Sequence, residues 1–348
     1  MKSTFAVIGY GGQGAWHCDQ LLASDVAVLK GIYDIDSRRC RAAAERGIRV
    51  YASLEELLGE EDIASVVIAV PNDAHLPLVT RALKAGKNVI CEKPAALSVA
   101  EFDEMTAAAA ESGRLFTVHQ NRRWDVDFLA IRDLCRSGEI GEMIRLESRV
   151  HGSRGIPSDW RSTQVHGGGM LYDWGVHLID QVLQLFREKV LGVYCHMTHI
   201  TNKEVDDGFG LTLYFEQNKT AYIEVGTYHF IPLPRFYLQC EQGSAVIEDW
   251  RKPGRAVRLK RWNEREILPV QTAAGITKTM APRDDLTLEE YELPRPKSDV
   301  HDFYRNFCAA LRGEAALTVT RDQVRRVLSV MEAAFDSAKK QQVITVNI

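Results

Sequence analysis

Short apolar runs separated by segments of helical period fill roughly the first 120 residues, the alternation that a parallel α/β sheet requires. Phe5–Ile8 reads as the first strand and Val28–Tyr33 as the second, followed by a short one near Val50. Ser65–Val70, Asn88–Cys91 and Leu115–Val118 complete a set of six, with helices on both faces of a doubly wound sheet. Asn72 or Asp73 can cap a helix that ends at Gly86. Ser98 and Glu101 form a capping box for another that ends at Gly113.

After Val118 the rhythm changes. Asp125–Arg136 has a helical period, Met143–Val150 alternates as a strand, and a glycine-rich turn leads into a helix over Met170–Phe186. From Leu191 to about Trp262 come the strand-like runs Phe209–Phe215, Lys219–Phe230, Phe236–Gln239 and Ser244–Glu248. Short turns at Gln217-Asn218 and Gln242-Gly243 divide them, which predicts a largely antiparallel sheet. Val270–Lys297 is polar and rich in proline and reads as a long loop. Ser298–Leu311 and Thr320–Lys340 read as closing helices, and Val343–Ile348 as a last strand. The expected organisation is an N-terminal Rossmann domain over residues 1–122 and a C-terminal α+β domain over 123–348, the latter with a large, mostly antiparallel open sheet.

Composition narrows the partners. The net charge is −4 and no dense Lys/Arg tract occurs, so neither nucleic acid nor an anionic membrane is indicated. No apolar run approaches the ~20 residues of a membrane span. Met1-Lys2-Ser3-Thr4-Phe5 leads straight into a strand pattern, with no secretory signature. The seven cysteines show no C-x-x-C spacing, which fits free thiols in a reducing cytoplasm.

Three motifs carry chemistry. Gly9-Tyr10-Gly11-Gly12-Gln13-Gly14 follows the first strand and opens a helix, the context in which G-x-G-x-x-G cradles a dinucleotide pyrophosphate on a helix N-terminus. About twenty residues on, Asp34 ends the second strand, placed to accept from ribose hydroxyls and to repel a 2′-phosphate. Asp36 is the better cap for the helix that starts near Ser37. NAD is the expected cofactor, with NADP the lesser alternative through Arg38 or Arg39. Glu92-Lys93-Pro94 lies past the carboxyl end of the fifth strand, on the nicotinamide side of such a sheet, where a lysine can reach a substrate hydroxyl. The Lys93–Pro94 bond can be cis, against a prior of only ~5% for any X-Pro bond. Gly167-Gly168-Gly169 offers close backbone approach to a ligand, and Asp173, His177 and Asp180 follow on one helical stripe. That stripe suits either a site that handles a proton or a buried Asp–His pair; a metal pair there lacks a third ligand. His196 and His199 point to opposite faces of a strand, and no metal site is expected from them. Tyr222, Tyr228, Phe230, Phe236 and Tyr237 fit a core or a subunit interface, and His17 a local packing role.

Together these motifs resemble the glucose–fructose oxidoreductase / inositol dehydrogenase / rhizopine catabolism (Gfo/Idh/MocA) family over nearly the whole chain. The resemblance rests on the glycine turn, Pro71-Asn72 with His75, Glu92-Lys93-Pro94 and Asp173-x-x-x-His177. His119-Gln-Asn-Arg-Arg-Trp124 and Trp160-Arg161 look like the branch that contains scyllo-inositol dehydrogenases. The resemblance implies that Lys93 binds the reacting hydroxyl, that His177 is the general acid/base and that Asp173 orients substrate. It further implies Pro71, Asn72, His75, Glu92, Gln120, Asn121, Trp160 and Arg161 on the cofactor side, with Arg122, Trp124 and Tyr172 on the substrate side. A dimer or tetramer built through the open sheet is implied as well. NADP enzymes of that branch carry Ser-Arg where this chain has Asp34, a departure that leaves cofactor and substrate to be settled separately.

The expected reaction is hydride transfer between a secondary alcohol of a sugar, sugar derivative or inositol and NAD. The same residues would also serve a redox-neutral reaction by transient oxidation, with elimination or epimerisation. A non-catalytic NAD-sensing module is the third reading, and the joint presence of Lys93, Asp173 and His177 speaks against it.

Overall fold

The computed structural model describes residues 2–260, 268–283 and 286–348; Met1 and Trp262 lie outside them. In the N-terminal half, β1 (Ser3–Ile8), α1 (Gly12–Ala23), β2 (Ala27–Tyr33), α2 (Ser37–Glu45), α3 (Leu54–Gly59) and β3 (Ser65–Ile68) come first. They are followed by α4 (His75–Lys84), β4 (Asn88–Cys91), α5 (Val99–Ser112) and β5 (Phe116–Val118). The five strands are parallel in the order β2-β1-β3-β4-β5. Helices on both faces bury these strands, which is why β3 and β4 are closed to solvent at every position instead of alternating. The sixth strand expected near Val50 is a single parallel bridge to Ile32, on the far side of β2. The chain makes two backbone bonds there, from Ile32 to Arg49 and from Tyr51 to Ile32, and then turns into α3.

The second half contains α6 (Val126–Ser137), β6 (Met143–His151), α7 (Val176–Leu185), β7 (Val190–Thr198), β8 (Gly208–Phe215) and β9 (Thr220–Gly226). Next come β10 (Phe236–Cys240), β11 (Gly243–Ile247), β12 (Arg255–Leu259), the hairpin β13 (Val270–Thr272) and β14 (Gly275–Thr277), and β15 (Leu288–Glu292). The chain closes with α8 (His301–Leu311), α9 (Arg321–Lys340) and β16 (Ile344–Thr345). Nine strands form one sheet in the order β15-β12-β11-β10-β6-β9-β8-β7-β16, antiparallel throughout except for the β6–β9 pair. One cross-strand row, Val193, Leu213, Ala221, Leu146, Leu238, Ala245 and Ala256, is buried from end to end. Helices α7 and α9 cover that face. The opposite row carries Tyr194, Thr212, Tyr222, Glu147 and Tyr237, with Tyr194 and Tyr237 exposed.

Several elements differ from the sequence expectation. The 270–297 loop contains the hairpin and the edge strand β15, whose pairing with β12 no local pattern announces. β9 stops at Gly226, short of the expected Phe230, and the His229 ring occupies the space a Cβ on Gly226 would fill. The last strand shortens to Ile344–Thr345. Helix α4 begins at His75, and neither Asn72 nor Asp73 caps it. Ser98 and Asp36 do cap α5 and α2. The helix expected over Met170–Phe186 opens as a π-turn, Leu171–Gly175, and only then continues as α7. Among the described residues no helix is long and apolar enough to cross a membrane.

Candidate active site

The strand order reverses between β1 and β3, and in a doubly wound sheet ligands bind in the crevice outside the carboxyl ends at that point. Gly9 has φ +93°, and a Cβ on Gly14 would collide with the Gly9 carbonyl oxygen, so the turn from β1 into α1 depends on both glycines. Gly11 caps α1 with no side chain, and a Cβ on Gly12 would meet open space. The first-turn N–H groups of α1 are therefore free of side-chain caps, the donor set that a pyrophosphate requires.

Asp34 ends up beneath this turn. Its carboxylate accepts from Tyr10 N at 2.6 Å and Asp36 N at 2.7 Å, with the Arg39 guanidinium 3.4 Å away, and its side chain is only 2% exposed. Arg39, half exposed, lies over Gly11 and lines the crevice. Arg38 is taken up by Asp36.

The crevice widens into a cleft of about 560 Å³. Gly11, Gly12, Gln13, Pro71, Asn72, Glu92, Lys93, Asn121, Arg122, Trp160, Arg161, Asp173 and His177 line it. The Lys93–Pro94 bond is cis. Lys93 Nζ donates to the Asp173 carboxylate at 3.0 Å and to the Asp173 carbonyl at 2.9 Å, and Arg161 Nε lies 3.4 Å from the same carboxylate. Burial alone would raise the Asp173 carboxyl, but the Lys93 and Arg161 charges outweigh it and hold the group below its ordinary value. His177 is 4% exposed, and among the described residues neither ring nitrogen has a hydrogen-bond partner. Burial first, then the Lys93 and Arg122 charges, push it well below the usual histidine value, so the ring is neutral. Among the described residues, His177 Nδ1, Asn121 Oδ1 and Arg122 Nε are buried polar atoms without a hydrogen-bond partner, in residues that line the cleft.

Other expected residues support the cleft from behind. His75 is fully buried, with its ring nitrogens on the Pro94 and Val70 carbonyls, so it braces the Glu-Lys-Pro turn instead of facing a cofactor. Gln120 is buried outside the cleft lining. Trp124 packs edge-on against Phe303, and the Tyr172 hydroxyl donates to the Leu97 carbonyl while its ring lies on Phe335; neither is among the residues lining the cleft. Asp180 pairs in the core with Arg123, 2.7 Å from its Nε, and plays no part in the cleft. The glycine triplet makes its close approach to the protein itself. A Cβ on Gly168 would strike the Arg161 and Thr163 carbonyls, and one on Gly169 the Asp206 carboxylate. Asn72 Nδ2 bonds the Gly167 carbonyl instead of capping a helix.

The sequence reading missed four contributors. Asp206, pushed up to about 6 by burial, accepts from Leu171 N and anchors the π-turn. Trp174 lines the cleft with the Arg122 guanidinium 4.0 Å from its ring. Trp250, 44% exposed, stacks on Trp174 at 6.0 Å. His17 does not merely pack locally: with His119 it holds Glu92, at 2.7 and 2.8 Å. The aromatic residues flanking turns foreshadow the Trp174–Trp250 wall only weakly, because the π-turn that aims Trp174 has no local signature.

Among the described residues, two groups each bring three metal-ligand side chains within 4.8 Å. In His17–Glu92–His119 the ring nitrogens are engaged as hydrogen-bond partners of the carboxylate. In His151–Glu224–His229 the two imidazoles are stacked at 7°, so no ion can lie in both ring planes, where the lone pairs point. His199 bonds the Val205 carbonyl.

Comparison with known proteins places this architecture among nicotinamide-dependent oxidoreductases. The profile described as "Oxidoreductase family, NAD-binding Rossmann fold" matches residues 3–120, and that of the "GFO/IDH/MocA C-terminal domain" matches 128–246. An NAD-binding protein from Listeria innocua has the same fold with a TM-score of 0.95 and 40% identity, over 99% of both chains. The chain belongs to the Gfo/Idh/MocA oxidoreductase family. The scyllo-inositol 2-dehydrogenase (NADP(+)) of Bacillus subtilis is 29% identical over 85% of this chain and 82% of its own. An uncharacterized oxidoreductase of Schizosaccharomyces pombe is 36% identical over 50% of this chain, a match that spans 48% of that relative's length.

Proposed function

We propose that the protein is a dehydrogenase moving a hydride between a secondary alcohol of a sugar, sugar derivative or inositol and a nicotinamide coenzyme. The observation that carries this reading is the placement of Lys93, Asp173 and a neutral His177 on one wall of the cleft that begins at the α1 cradle. The coenzyme, when bound, supplies the hydride acceptor or donor. In the oxidative direction Lys93 Nζ, fixed by Asp173, donates to the substrate oxygen and favours its developing negative charge. The unprotonated His177 accepts the hydroxyl proton, so that the alcohol loses a hydride and a proton and becomes a carbonyl. Such acid/base assistance contributes ~10²–10⁴-fold in rate. Arg122 and Trp174 position the substrate against that pair.

NAD is the coenzyme in this reading, since the Asp34 charge at the end of β2 opposes a 2′-phosphate; Arg39 offsets part of it. Assembly as a homodimer or homotetramer through the outer face of the nine-stranded sheet would cover Tyr194, Tyr214 and Tyr237, each more than a third exposed. All seven cysteines are free thiols, in keeping with a reducing cytoplasm.

The test is a panel of sugars, sugar acids, glycosides and inositols with NAD and NADP, followed at the absorbance of the reduced nicotinamide. Coenzyme reduction that Lys93→Ala abolishes supports the reading. Full activity in Lys93→Ala overturns it, and product without net reduction assigns the same residues to a redox-neutral reaction. Clearly tighter NADP than NAD overturns the Asp34 argument.

A further inference from the structure

Glu92 closes the β4 end of the cleft, on the opposite side of the glycine turn from Asp34. Its Oε1 accepts from His17 Nε2 at 2.7 Å, His119 Nδ1 at 2.8 Å and Gln13 Nε2 at 3.0 Å, and its Oε2 from Lys93 N at 3.1 Å. Four donors on one carboxylate favour the ionised form. Burial by itself would raise the group, yet the two imidazoles outweigh that and hold it well below the ordinary glutamate value. The tautomers follow from the partners. Tyr304, reaching across from α8, lies 2.6 Å from His17 Nδ1, and its O–H donation there leaves the His17 proton on Nε2, facing Glu92. His17 is fully buried, and burial lowers it below the usual histidine value, so it donates as a neutral ring.

Glu92 is thus an ionised carboxylate fixed by four hydrogen bonds, one of them from the neutral His17 ring. The nearest lysine, Lys93, directs its ammonium to Asp173. Gln13, itself part of the pyrophosphate turn, ties this anion to the cradle. A doubly wound sheet lays the nicotinamide half of the coenzyme over the strands beyond the switch point, here β3 and β4, and away from β2.

We infer that Glu92 is a fixed buried anion that selects the oxidised coenzyme over the reduced one. The oxidised ring is a cation and the reduced ring is neutral, so a fixed negative charge on that side acts on one form and not on the other. His17, His119 and Tyr304 are positioning residues that keep the charge in place. The inference rests on the dinucleotide reading of the cleft and is independent of which alcohol is oxidised.

Calorimetric dissociation constants for NAD+, NADH, NADP+ and NADPH test it without turnover. The wild-type protein is expected to bind the oxidised form at least as tightly as the reduced form. Glu92→Gln, which keeps the shape and removes the charge, is expected to lower the oxidised-to-reduced affinity ratio about tenfold or more, the scale of losing one opposite charge. Glu92→Asp is expected to weaken both forms and keep the ratio. Each ratio is taken on a single protein preparation, so a loss of folded protein cancels. A Glu92→Gln ratio within about twofold of wild type overturns the inference while leaving the dinucleotide site intact. Should Glu92→Gln not fold, wild type binding the reduced form about tenfold more tightly than the oxidised one overturns it alone. Wild type binding neither coenzyme pair overturns the dinucleotide reading and the inference with it.

Discussion

Lys93 is held by two oxygens of one residue, the Asp173 carboxylate and the Asp173 carbonyl, so its ammonium cannot swing out of the cleft without losing both bonds. Lys93→Met is therefore expected to reduce kcat/KM by ~10²-fold or more with little change in coenzyme affinity, which single-turnover and binding measurements separate. His177 differs in that no described residue hydrogen-bonds its ring nitrogens, and its basicity is lowered by burial and by Lys93 and Arg122. Both charges favour the neutral ring. The acid limb of kcat/KM for alcohol oxidation should accordingly lie below the histidine value of 6.5. Arg122→Gln removes one of the positive charges and should move that limb, and the His177 ring titration followed by NMR, upward; a downward or absent shift contradicts the assignment. Trp250 is the exposed end of the aromatic wall that begins at Trp174. Trp250→Ala is expected to raise KM for substrate several-fold, up to about tenfold, at nearly constant kcat; a fall in kcat with KM unchanged would place the ring elsewhere in the cycle.

At the scale of elements, the π-turn Leu171–Gly175 decides how Asp173 and His177 face the cleft together while Asp180, three residues further, enters the core against Arg123. Removing Asp180 as alanine leaves a buried guanidinium without its carboxylate and is expected to cost about 3–5 kcal/mol, read as a fall in denaturant midpoint. Gly14→Ala forces a Cβ into the Gly9 carbonyl, so α1 must move off β1 and coenzyme affinity should fall before the overall fold does. Such elements differ in how legible they are. The five parallel strands follow from apolar runs, because a strand buried on both faces writes itself into consecutive positions. The glycine turn and the Glu-Lys-Pro turn were legible for the same local reason. The π-turn was not, since its extra residue per turn does not change which side chains are apolar. Nor were the pairings Glu92–His17–His119, Arg123–Asp180 and Arg235–Asp127, which join segments far apart in sequence and leave no periodic trace.

At the scale of the molecule, the closing helices return to the first sheet. Phe307 packs on Phe5, Tyr304 meets His17, Arg325 pairs with Asp103, and the Thr117 hydroxyl bonds the Val319 carbonyl. The cleft is thereby framed by a chain that leaves the nucleotide-binding half and comes back to it, and three buried histidines sit along that frame. His17, His75 and His177 are each lowered below 6.5, with burial the largest cause in every case. The folded chain then binds fewer protons at these sites than the unfolded chain, so their contribution is fully present above about pH 6.5 and is lost as pH falls toward the folded values. Each unit of lowering corresponds to about 1.4 kcal/mol on the acid side. Glu92 and Asp173 are carboxyls held below 4.5 and 3.8, and they keep their contribution until the pH drops under those values. The first loss of stability on acidification should therefore come from the histidines. Tm is expected to be nearly level above about pH 7 and to fall between about pH 6.5 and 5, in step with protonation followed at the histidine ring resonances. A Tm that stays level to about pH 5 would mean that these three rings take up protons in their buried sites without loss of stability.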